Sequence, residues 1–119
     1  MGVKLDIFAT EEHPRTCEAG QTIFQTYDMG AEMYVVLEGE VELTIGDRVV
    51  ETLGPGEPFG EMALIDQAPR VATAIAKTRC KLAVLPEKRF LFLVQTKPHF
   101  ALDIMRAMAE RLRTMNAKA

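Results

Sequence analysis

An acidic and a basic side chain, Glu61 and Arg70, bracket one apolar turn, Met62-Ala63-Leu64-Ile65, and a breaker, Asp66-Gln67-Ala68-Pro69. Arginine is a planar, permanently charged fork that can bond two phosphate oxygens at once. A carboxylate only accepts, so it suits hydroxyl groups and repels phosphate. Gly60, just before Glu61, lets a ligand approach the backbone closely and leaves φ unrestricted. The short helix predicted after it would turn its free N–H groups and positive end toward an anion. Those types in that order fit a phosphate attached to a sugar, with Arg70 on the phosphate and Glu61 on the sugar hydroxyls. The competing reading is a structural ion pair between Glu61 and Arg70 across a turn.

Phe59-Gly60-Glu61, Ala63-Leu64, Pro69-Arg70 and Ala72-Thr73 at this fixed spacing resemble the phosphate-binding cassette of the cyclic nucleotide-binding domain family. That family includes the catabolite activator protein, protein kinase A regulatory subunits and cyclic-nucleotide-gated channels. The resemblance runs from about residue 16 to 115. It implies a mainly β fold with flanking α: a β jelly-roll (double-stranded β-helix) barrel with a short cassette helix and C-terminal helices. It implies a ligand sensor and not an enzyme. The ligand would be a cyclic nucleotide, cyclic AMP first and cyclic GMP second, with no other cofactor. The ligand-binding residues it implies are Phe59, Gly60, Glu61, Met62, Ala63, Arg70, Val71 and Ala72. Cyclic GMP-selective kinases of the family carry a threonine where Val71 stands here. A degenerate or differently liganded sensor of the same fold is the alternative.

The surrounding elements follow from punctuation and period. Thr16-Cys17-Glu18 and Thr22-Ile23-Phe24-Gln25 read as short strands around an Ala19-Gly20 turn. Met33-Tyr34-Val35-Val36-Leu37 is a buried-strand run, and Val41–Ile45 alternates as a half-buried strand does. Gly46-Asp47 fits a two-residue type II′ hairpin into a partner strand, Arg48 to Leu53. Gly54-Pro55-Gly56-Glu57-Pro58 lacks the Gly-Lys-Ser/Thr of a triphosphate loop and reads as a tight turn. Val71–Ala76 and Cys80–Leu85 are two further strands. The β-roll is expected over about 16–85 and helices over about 86–116, in one domain covering 1–119. Pro86-Glu87 starts a first helix, and Thr96-Lys97-Pro98 interrupts it. Ala101, Met105, Met108, Leu112 and Met115 space a second helix as an a/d seam that could serve a homodimer, or pack on its own barrel. Arg106, Arg111 and Arg113 read as a solvated face, or one of them reaches over a bound base. Residues 1–13 are weakly patterned, with Val3, Leu5, Ile7 and Phe8 able to form a tucked helical turn or arm.

Composition narrows the alternatives. The chain has 119 residues, 48% hydrophobic and 26% charged, enough for one core and too few for two. Acidic residues outnumber basic ones, 17 to 14, which argues against a broad nucleic-acid-binding surface. No apolar run approaches the ~20 residues that span a bilayer, and the N-terminus lacks a long apolar signal core, so a cytoplasmic location is expected. Cys17 and Cys80 read as buried reduced thiols. His13 and His99 are isolated, unlike the histidine clusters of metal-dependent barrels. The sequence stops at Asn116-Ala117-Lys118-Ala119, where activators of the family continue into a helix-turn-helix. It is therefore expected to be a free-standing binding module or a fragment.

Overall fold

The computed structural model describes residues 4–8 and 10–118. Eight strands form two antiparallel four-stranded sheets, ordered β1-β8-β3-β6 and β2-β7-β4-β5. The strands are β1 (Arg15–Cys17), β2 (Thr22–Phe24), β3 (Glu32–Glu38), β4 (Val41–Ile45), β5 (Arg48–Leu53), β6 (Pro58–Phe59), β7 (Thr73–Ala76) and β8 (Cys80–Pro86). A one-turn helix, α1 (Met62–Ile65), lies between β6 and β7, and α2 (Glu87–Thr96) and α3 (Pro98–Lys118) follow β8. This is the expected jelly roll with C-terminal helices. Val3 and Ala9 lie outside the described residues.

The continuous apolar runs of β3 and β8 are explained by what covers them. Tyr34 and Val36 face the interior between the sheets, together with Val41, Leu53, Phe59 and Leu82. Met33 and Val35 face the other way, into a second core with Leu93, Phe100 and Ile104 from the helices. Both faces are dry, so neither shows polar alternation. β4 has one solvated face and keeps its alternation, buried at Val41 and Leu43 and more open at Glu42 and Thr44. Leu5 and Phe8 also enter the helical core, from a 3-10 turn at Asp6–Phe8, so the N-terminal segment is tucked. Cys17 and Cys80 face each other across β1 and β8 as buried free thiols.

Local chemistry sets the boundaries. Gly46 takes φ +61° while Asp47 is absent from the positive-φ residues, the type II′ pattern that joins β4 to β5. Lys97 precedes a proline, which disfavours the helical region, and its φ of −136° ends α2. The buried face of α3 is Phe100, Ile104 and Ala107. On the barrel side the helix therefore packs through a row about one position from the a/d seam: Met105, Leu112 and Met115 are exposed, Ala101 is half-buried, and Met108 packs partly buried against the helical core. Ile104, expected only to widen a stripe, sits at the centre of the contact. Truncating Phe100 or Ile104 to alanine costs about 2–5 kcal/mol on general grounds.

Candidate ligand-binding site

The cassette begins on β6, a two-residue edge strand that pairs Phe59 with Tyr34 and Pro58 with Val35. Proline cannot donate to a ladder, so an edge is where it is tolerated. The Phe59 ring is fully buried and stacks 5.2 Å from Tyr34, with Phe24 6.0 Å from each. Phe59, expected among the ligand-binding residues, is thus a core residue supporting the site from behind. Gly60 follows with φ +79°, a region costly for other residues, and a β-carbon there would press on Arg70, Phe24 and Tyr34.

Arg70 is 6% exposed. Its Nη1 donates to the Gly60 carbonyl and its Nη2 to the Glu32 carbonyl, each at 2.7 Å. The guanidinium carbon stands 4.1 Å from the Phe24 ring centroid. Burying a cation costs several kcal/mol, offset by two charged hydrogen bonds of about 1.5–3 kcal/mol each and by the ring contact. Burial pulls the group below the usual arginine value, against the opposing pull of Tyr34, Glu32, Glu61 and Asp28. The side chain nonetheless stays charged at neutral pH. Its Nε is buried without a hydrogen-bond partner. The backbone of Arg70 is gripped as well: Tyr27 N–H donates to its carbonyl at 2.7 Å, and its own N–H donates to the Asp28 carbonyl at 2.8 Å. Those bonds occupy the chain before it can join the sheet, and β7 accordingly begins at Thr73, not at Val71 as expected.

Glu61 is 1% exposed and does not pair with Arg70. Its Oε1 accepts from Arg111 Nη1 at 2.7 Å. Arg111 also donates from Nε to Glu51 Oε1 at 2.5 Å and from Nη2 to the Pro58 carbonyl at 2.9 Å. Burial alone would lower Arg111, but the two carboxylates outweigh it and hold the group above the usual arginine value. The solvated-face reading of Arg111 is corrected: it is the residue that fastens α3 to the cassette. Its signal was position, one turn beyond Ala107 and two turns beyond Ile104 on the same helical row. Glu51 was not singled out from sequence, since on β5 it reads as an ordinary outward polar residue.

Between the cassette, β4, β5 and the end of α3 lies a cavity of ≈ 90 Å³. Of the eight expected residues, Gly60, Met62, Ala63, Arg70, Val71 and Ala72 line it; the buried Phe59 and Glu61 flank Gly60 in the chain without lining it. Leu43, Ile45 and Val50 give it an apolar floor, and Thr114 and Met115 close it from α3. A drug-sized ligand needs about 300 Å³ or more, more than this cavity encloses. Among the described residues, no group of three His, Cys, Asp or Glu side chains could hold a metal ion.

A jelly roll with a buried arginine and a buried carboxylate on one glycine-led turn defines a small-ligand receptor of the cassette class. The chain belongs to the cyclic nucleotide-binding domain family, whose sequence model matches residues 14–97. That family is regulatory, not catalytic. The chain is similar to the cyclic AMP receptor protein of Thermus thermophilus, 34% identical over 92% of this chain and 53% of that protein. It is 44% identical to the cAMP-dependent protein kinase regulatory subunit of Eremothecium gossypii over 60% of this chain and 16% of that protein. The chain thus spans about half or less of the length of these relatives. A solved structure from work on a cyclic-GMP-dependent signalling pathway in bacterial phytopathogenesis superposes with a TM-score of 0.79. It is 28% identical, over 91% of this chain and 92% of that one. Among the described residues, no helix is long and apolar enough to cross a membrane.

Proposed function

We propose that this chain is a cyclic nucleotide sensor module, acting in the cytoplasm, whose preferred ligand is cyclic AMP. Arg70 holds the phosphate and Glu61 accepts from the ribose 2′-hydroxyl. The observation that carries this reading is the buried Arg70 guanidinium, lining the cavity beside Gly60 with its Nε–H unpartnered. Val71 supports adenine: it lines the cavity, is 59% exposed, and offers guanine neither donor nor acceptor. The output passes to a second copy along α3 or to a partner protein, and binding changes position, not covalent chemistry. A second reading, cyclic GMP as ligand, is favoured by the similarity to the structure from a cyclic-GMP-dependent pathway.

Calorimetric titration of the wild type and Arg70→Ala with both nucleotides tests the assignment. Arg70→Ala is expected to weaken cyclic AMP binding more than tenfold, about one charged bond or more. Equal affinity in the two proteins would remove the phosphate role. Tighter binding of cyclic GMP by the wild type would install the second reading.

A further inference from the structure

Glu51, on β5, makes the shortest of the three bonds to Arg111 and lines the same cavity as Gly60 and Arg70. Those bonds divide the guanidinium. Nε is turned to β5 and Glu51, while Nη1 and Nη2 are turned to the cassette, one to Glu61 and one to the Pro58 carbonyl. Left to itself, an arginine beside a carboxylate prefers the fork-to-fork arrangement, two parallel N–H bonds to two oxygens. Here Glu61 receives a single bond, on Oε1. Glu51 and Arg111 are partly shielded, with side chains 25% and 21% exposed, so the pair is less screened than a surface ion pair.

We propose that Glu51 is a positioning residue that holds Arg111 in this divided geometry, so that α3 stays fastened while Glu61 keeps one oxygen for a ligand hydroxyl. Without Glu51, the guanidinium rotates onto Glu61 and takes both oxygens. The cost falls on two observables. The last turns of α3 lose their anchor to β5, and the hydroxyl acceptor is consumed. The second half rests on the cyclic nucleotide reading; the first does not.

The test uses Glu51→Ala and Glu51→Gln, the second keeping an acceptor oxygen without the charge. In ligand-free protein, amide hydrogen exchange over residues 108–117 is expected to quicken about threefold to tenfold in Glu51→Ala, and less in Glu51→Gln. Binding is then measured for cyclic AMP and 2′-deoxy cyclic AMP. Glu51→Ala should bind cyclic AMP several-fold more weakly and lose most of its preference over the 2′-deoxy analogue. Glu51→Gln should recover part of both. In an Arg111→Ala background, Glu51→Ala should add nothing. Unchanged exchange over 108–117, or equal effects of Glu51→Ala with and without Arg111, would overturn the proposal. A wild type that binds neither nucleotide would defeat the ligand reading alone, and the ligand-free exchange would still decide the role of Glu51.

Discussion

Gly30 precedes β3, far from the cassette in sequence, yet a β-carbon there would overlap the Arg70 guanidinium. Its constraint is space, since Arg70 cannot retreat without giving up its bonds to Gly60 and Glu32. Gly30→Ala is therefore expected to displace the guanidinium and weaken cyclic AMP binding about tenfold, with a lower melting temperature in the same protein. Calorimetry and thermal melting together check this, and no change in either would mean that Arg70 moves freely. Val71 is the second residue whose substitution is informative. Threonine has nearly its shape and adds a hydroxyl that can bond guanine. Val71→Thr should improve cyclic GMP binding by a few-fold to tenfold, one neutral bond of about 0.5–1.5 kcal/mol, and leave cyclic AMP unchanged. Competition binding reads both. At this scale Gly60, Arg70 and Glu61 were legible because each chemical type is scarce and locally ordered. Arg111 was not, because three arginines crowd the end of α3 and only contact with a distant strand singles one out.

The loop from β2 to β3 is the element that holds the cassette arginine in place. Its Tyr27 adopts φ +75°, a left-handed conformation that costs a side-chain-bearing residue about 1–2 kcal/mol. The ring is 84% exposed and contributes little packing. Tyr27→Gly should therefore raise stability by about 0.5–1 kcal/mol in denaturant unfolding while keeping the N–H that bonds to Arg70. A loss of stability would mean that the ring packs in solution. The end of α3 lines the cavity of ≈ 90 Å³ through Arg111, Thr114 and Met115, so an occupant larger than that space presses on this helix. Saturating cyclic AMP should change amide exchange from about residue 101 to 115. Flat exchange with and without ligand would show that no signal passes through this helix. The sequence suggested α3, but the row that packs on the barrel lies about one position from the row it picked out. Methionine and leucine at 105, 112 and 115 outweighed Phe100, Ile104 and a small Ala107 in the pattern, although the core takes the latter set. β6 was invisible because two residues, one of them proline, carry no period.

Across the whole molecule, two cores share β3 and β8, and the N-terminal segment is tied to the second by Glu11. Arg89 on α2 donates twice to the Glu11 carboxylate, at 2.7 and 3.1 Å, and lies over the Phe8 ring. Those bonds hold the Glu11 carboxyl below its ordinary value of 4.5. A depressed carboxylate contributes stability above the unfolded value, lost as pH falls through the folded one. The melting temperature should thus fall more steeply below pH 4.5 in the wild type than in Glu11→Gln. Parallel acid curves for the two proteins would remove the contribution of this pair. The jelly roll was readable because glycines and strand periods repeat along the whole chain. The coupling of the first residues to α2 was not, since it joins side chains far apart in sequence and neither has a pattern of its own.

The stacked trio of Phe24, Tyr34 and Phe59 also has an optical consequence. The chain holds two tyrosines and no tryptophan, and Tyr34 touches Phe24, the ring on which the Arg70 guanidinium rests. Its hydroxyl donates to Glu32 at 2.6 Å, and burial together with that bond pushes the phenol up to about 12. Tyr34 therefore stays un-ionised through the ordinary alkaline range. Held rigidly in an asymmetric aromatic stack, it gives the protein a built-in chromophore one ring away from its charged centre. Occupation of that centre can be followed in the near-ultraviolet circular dichroism of the unlabelled protein.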